Sequence, residues 1–281
     1  MANNNDFWGD LEREMSGTAT QSSDFLEDGN DVELRTIFMY LVYDVSGSMG
    51  RYSETMFDSC IQTCRALSSA QNEDLNFRVK LVTFNEEVEE INKEFQDPAD
   101  LEMLLSKDDF ACEGQTSISK IITYLDKQFS RDALKERKLH KMDPKSVVVI
   151  VTDYQPVGET LETVTAATNN ILSNRFYNKA NRTLCIFCGE DKLKANAAEL
   201  AGGLDNVVSM GQEYIQELLT PVLISSTITL SDATHVEGKT TEAKTTSEIA
   251  TKIIEDQKAS SESANQMTDA EAKEALKFLL T

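Results

Sequence analysis

At 281 residues the chain has room for one large domain with tails or for two small ones, and a hydrophobic content of 40% is enough for one sizeable core. Its 27 Lys+Arg against 48 Asp+Glu leave a net charge of −21. That surface repels phosphate backbones and acidic membranes, which argues against nucleic-acid and membrane partners and leaves basic partners and divalent cations.

The N-terminus, MANNNDFWGDLERE, has neither a basic n-region nor an apolar h-region, so it does not read as a secretory signal. Residues 1–33 carry nine acidic side chains and one Arg, are polar without period, and read as an acidic disordered segment. A folded domain is expected over 34–224. RTIFMYLVYD (35–44) reads as a buried strand, and residues 52–71 follow as a helix with Met56, Phe57, Cys60, Ile61, Cys64 and Leu67 at helical spacing. FRVKLVTF (77–84) alternates as a strand, with VEEINKEF (88–95) as its hairpin partner. Helices are expected at 98–105 and 117–131, a fully apolar strand at 146–153, and a helix at 159–176. A strand at 182–189, a helix at 191–201, a short strand at 206–210 and a closing helix at 211–220 complete the pattern. Alternating strands and helices predict an α/β fold: a doubly wound, mostly parallel sheet with one antiparallel edge strand and helices on both faces. Residues 225–267 are rich in Ser, Thr, Glu and Lys and read as a solvated linker. Residues 268–281 read as a short amphipathic helix, with Thr268 and Glu271 in a capping-box pattern before Leu276, Phe278, Leu279 and Leu280.

In such a sheet ligands bind beyond the carboxyl ends of the strands. Three loops reach that edge carrying oxygen groups. Tyr43-Asp44-Val45-Ser46-Gly47-Ser48 leaves the first strand, Gly114-Gln115-Thr116 enters a helix, and Thr152-Asp153-Tyr154-Gln155-Pro156 leaves the strand at 146–153. None contributes His or Cys. An all-oxygen donor set suits Mg²⁺, Mn²⁺ or Ca²⁺ rather than Zn²⁺, and two carboxylates favour an ion that keeps waters.

Asp44-x-Ser46-x-Ser48, Thr116 in a Gly-x-Thr turn and Asp153 in a Thr-Asp-x-x-Pro turn together resemble the metal-ion-dependent adhesion site of von Willebrand factor A (VWA) domains. The resemblance covers about residues 35–222 and implies a Rossmann-like VWA fold. It also implies a metal site in which Ser46, Ser48 and, in one state, Thr116 bind Mg²⁺ or Mn²⁺ directly. Asp44 and Asp153 then act mostly through water, and a Glu or Asp from a protein partner completes the coordination. Tyr154 stands where many relatives have Gly, which would narrow access to the ion. In length and lack of export signals the chain looks most like stand-alone bacterial cytoplasmic members of the tellurium-resistance and stress-response type.

Other chemistries fit less well. Gly47-Ser48-Met49-Gly50 is not a Gly-x-Ser-x-Gly elbow, and neither His140 nor His235 is placed to serve Ser48, so an enzyme is not expected and a metal-dependent hydrolase ranks below a binding module. Cys185-x-x-Cys188 falls in a buried strand and Cys60 and Cys64 share an apolar helix face, so all four read as core residues. Cys112, beside the Thr116 loop, is the thiol to test for reactivity. The odd count of five cysteines argues against a disulfide framework and for a reducing, cytoplasmic setting. The basic run 135–141 reads as a solvated helix end. The expectation is therefore an adaptor in a bacterial stress-response or signalling complex. It would be a binding module that captures a partner's acidic side chain through a bound ion. A scaffold that binds through its tails, with the metal incidental, is the alternative.

Overall fold

A computed structural model describes residues 35–72, 75–133, 146–174, 177, 181–201, 203, 206–211, 215–216 and 219–224. The terminal segments 1–33 and 225–281, the basic run 135–141 and both histidines lie outside these residues.

Bulky and β-branched residues make β1 (Arg35–Asp44) and β4 (Ser146–Thr152) the centre of the sheet. Strand β4 is buried along its whole length, as a parallel strand covered on both faces should be. With β2 (Leu75–Phe84), β3 (Val88–Glu90), β5 (Asn181–Phe187) and β6 (Val207–Ser209), they form one six-stranded sheet in the order β3-β2-β1-β4-β5-β6. Every pairing is parallel except β2 with β3.

Side chains alternate between the two faces of β1. Ile37, Met39, Leu41 and Tyr43 join the core that includes Met56, Cys60, Cys64 and Leu67 of α1 (Ser53–Ala70) and Leu101 of α2 (Pro98–Leu104). On the other face Phe38 packs edge-on against Phe95 and Tyr40 lies against Phe129, at centroid distances of 4.9 and 5.9 Å. Phe129 follows α3 (Ile118–Gln128), whose buried face is Ile118, Ile121, Ile122 and Leu125. Helix α3 contacts α4 (Leu161–Ser173), and α5 (Lys194–Ala201) lies against β5 and β6. Residues 215–216 and 219–224 are helical, where a closing helix was expected. No helix among the described residues is long and apolar enough to cross a membrane.

The edge strand is shorter than its sequence suggests. Continuous strand pairing with β2 stops at Glu90 and returns only as a single Val79–Gln96 bridge, because the Asn92 side chain takes over the ladder between them. Leu81 N donates to Asn92 Oδ1 at 2.7 Å, and Asn92 Nδ2 donates to Val79 O at 2.8 Å. A buried amide side chain thus does the work of a strand residue, which alternation of apolar residues does not reveal.

From β1 the chain crosses through α1 to β2 on one side, then returns to β4 on the other. The β1–β4 boundary is therefore the topological switch point, and the crevice beyond its carboxyl edge is where such sheets bind ligands.

Candidate metal centre

Strand β1 delivers Asp44 to that edge, and the chain then turns sharply. Ser46 N donates to Asp44 Oδ1 at 3.0 Å, an Asx turn that aims the loop back over the strand end. Ser46 is extended (φ −68°, ψ 163°) and leads into a 3₁₀ turn over Gly47–Tyr52. This brings Ser46 Oγ and Ser48 Oγ to 3.1 Å, with Ser46 buried and Ser48 exposed.

The Thr116 loop is laced to this turn by backbone bonds. Gly47 N donates to Gly114 O at 3.1 Å, and Glu113 N donates to Val45 O at 3.0 Å. Gly114 has φ +70°, a conformation that costs glycine nothing. Thr116 is buried at the turn into α3, and Ser117 N donates to Asn85 O at 2.8 Å.

The third loop begins where β4 ends. Tyr43 pairs with Val151 across β1 and β4, so Thr152 arrives beside Asp44. Thr152 Oγ1 donates to Asp44 Oδ2 at 2.6 Å and accepts from Tyr154 N at 2.8 Å. Both oxygens of Asp44 are thereby engaged by the protein. Asp153 is buried as well, with its Oδ1 accepting from Gln155 N at 3.2 Å. Gly189, just beyond β5, lets the Asp153 backbone pass: a Cβ there would lie 2.0 Å from Asp153 O.

Tyr154 takes a left-handed conformation (φ 49°), which explains why a glycine would suit the position and costs a tyrosine about 1–2 kcal/mol. Its ring does not stand over the site. It is 2% exposed, bonded to Thr168 and close to Cys185, so the expected narrowing of access is not what this residue does. The ring is buried behind the loop.

Burial is the main reason the Asp44 carboxyl is pushed up to about 6, and the charge of Asp153 is the second. The bonds from Ser46 and Thr152 favour the ionised form without cancelling those effects. Two buried carboxylates that repel each other, beside paired hydroxyls, form a place where positive charge lowers the energy. The donor chemistry of the five sequence-predicted residues is two carboxylates and three hydroxyls, which fits a hard divalent cation. Among the described residues no group of three or more His, Cys, Asp or Glu is arranged for a metal.

The cysteines take no part. All five are free thiols, and Cys60, Cys64, Cys185 and Cys188 are buried. Cys112, half-buried, is pushed up to about 11, chiefly by burial and then by the charge of Asp44, so it is not an activated nucleophile.

Sequence reasoning singled out Asp44, Ser46, Ser48, Thr116 and Asp153, and all five lie on three interlaced loops at one sheet edge. It missed Thr152, the hydroxyl that binds Asp44, although this residue directly precedes Asp153. Gly189 and Glu159, which brace the Asp153 and Thr116 loops, carried no local signal.

The family model for the von Willebrand factor type A domain matches residues 39–156, a span that contains all five positions. Over this span the chain is similar to a VWA domain, and its sheet has the Rossmann-like VWA fold. Solved structures share its fold at low identity. Proximal thread matrix protein 1 from the mussel byssus, described with a zinc-occupied MIDAS motif, is 13% identical with a TM-score of 0.50 over 68% of this chain. The PilB minor pilin from Streptococcus sanguinis is 11% identical with a TM-score of 0.50 over 75% of this chain. The chain spans 48% of the length of the mussel protein and 65% of the pilin. No curated protein matches it in sequence.

Proposed function

We propose that the VWA domain is a divalent-metal-dependent protein-binding module whose role is capture rather than catalysis. The observation that carries this reading is the pair of buried, mutually repelling carboxylates, Asp44 and Asp153, beside the joined hydroxyls of Ser46 and Ser48. Ser46, Ser48 and Thr116 would hold Mg²⁺ or Mn²⁺. Asp44, with both oxygens already bonded within the protein, suits a role behind them through water. When bound, the ion supplies an electrophilic position for a Glu or Asp of a partner protein. The hydroxyls are neutral, so they leave the ion's charge largely unspent and an incoming carboxylate gains a strong bond. A zinc-occupied motif in the mussel protein is compatible with a divalent ion in this position, while the oxygen-only donors here favour the harder ions.

Among the described residues Ser48 Oγ bonds to another serine rather than to a base, a pairing that does not activate it as a nucleophile. The test is co-purification of partners on immobilised protein in Mg²⁺, in EDTA and with Asp44→Ala. Partners retained only by the wild type in Mg²⁺ are the expected result. Equal retention in all three would overturn the reading and favour binding through the tails.

A further inference from the structure

Helix α3, which begins directly after the Thr116 loop, has no cap of its own. Ser117 stands at the N-cap position and makes no capping bond. The first amides of a helix lack intrahelical partners, so an acceptor must come from elsewhere. It comes from Glu159, on the loop that follows Asp153. Ser119 N donates to both Glu159 oxygens, at 3.3 and 3.2 Å, and Ser117 Oγ donates to Oε1 at 2.7 Å. Ser119 Oγ donates to the same oxygen. A carboxylate at a helix N-terminus is further favoured by the helix dipole.

The clamp is not the only strap between these loops. Val157 N donates to Thr116 O at 3.2 Å. Gly158, at φ +78°, lies so close to Gln115 that a Cβ would come within 2.2 Å of its side-chain oxygen. The serines bound by Glu159 stand one and three positions after Thr116, and Glu159 itself stands six positions after Asp153. One carboxylate therefore ties together the two loops that carry the later members of the site.

We infer that Glu159 is a positioning residue: it holds the Thr116 loop against the Asp153 loop and so sets the affinity of the site for a divalent cation. This rests on the metal-binding reading above. The competing account is a helix cap that stabilises the fold and leaves the site alone. Thr160 provides the comparison, because its side chain caps α4 by accepting from Thr163 N at 3.2 Å and makes no bond to the Thr116 loop.

The test is calorimetric titration of the full chain with Mn²⁺ alone, for wild type, Glu159→Ala, Glu159→Gln and Thr160→Ala, each also melted in EDTA. Glu159→Ala should bind Mn²⁺ about 10–100-fold more weakly, the range typical of removing a residue that orients metal ligands. Glu159→Gln keeps one acceptor oxygen, should fold, and should fall between Glu159→Ala and wild type. Thr160→Ala should melt lower with unchanged Mn²⁺ affinity. If both Glu159 variants bind Mn²⁺ as the wild type does, whatever their melting temperature, Glu159 is only a cap and the inference is overturned. If the wild type itself takes up no Mn²⁺, the metal reading fails first and takes this inference with it.

Discussion

Asp44 accepts one backbone amide and one hydroxyl, and Glu159 accepts one amide and two hydroxyls, yet their surroundings make them opposites. Asp44 is fully buried with Asp153 close enough to raise its pKa, whereas Glu159 is half-buried at the positive end of a helix. A carboxylate such as Glu159 is satisfied by the protein alone. Asp44 has its hydrogen bonds but not its charge balance, so the fold keeps an electrostatic cost there that a cation would relieve. On the proposed reading, the difference separates a residue that would shape the site from one whose surroundings would favour an ion.

Two substitutions sharpen this contrast from the Asp44 side. Gly189→Ala has the larger expected effect, because its Cβ would meet the Asp153 carbonyl at 2.0 Å and a backbone oxygen cannot step aside. Overpacking of this kind costs about 3 kcal/mol, or roughly 6–12 °C in melting temperature, and should abolish ion binding by displacing Asp153. A stable variant with normal ion affinity would mean that the Asp153 loop has slack the structure does not suggest. Thr152→Val comes next. It strips Asp44 Oδ2 of a donor and Tyr154 N of its acceptor in a buried setting. A loss of about 2 kcal/mol, roughly 4–8 °C, is expected in chelator, with ion affinity down about tenfold by titration. Unchanged affinity would place Asp44 outside the ion's influence and dissolve the contrast with Glu159.

Much of this was legible in the chain because the informative groups sit at element ends. Asp44 and Asp153 close apolar runs whose bulk already marks them as central strands, and Ser46 and Ser48 follow at alternate positions on a turn. Thr116 was visible as the last residue before a periodic helix. What stayed hidden depends on contacts between distant segments. The bond from Thr152 to Asp44 follows from the β1–β4 register, in which Tyr43 opposes Val151, and no local pattern announces a register. Gly189 and Glu159 act on loops far from them in sequence, so neither differs locally from an ordinary turn glycine or a surface acid. Strand β3 was overextended because Asn92 replaces a stretch of ladder with its side chain. The inward Tyr154 ring shows a further limit: its unusual position was visible in the sequence, but the direction of its side chain was not.

The most direct test of a metal centre is a thermal melt followed by circular dichroism, in EDTA and in Mg²⁺ or Mn²⁺, on wild type and Asp153→Ala. An ion at about 100 times its dissociation constant adds about 2.7 kcal/mol to a fold that binds it. For a domain of this size that corresponds to a rise of roughly 5–10 °C. The account predicts a rise of that size in the wild type and none in Asp153→Ala. The same melting temperature for the wild type in chelator and in ion would contradict it, leaving Asp44, Ser46 and Ser48 as the parts of a capped turn.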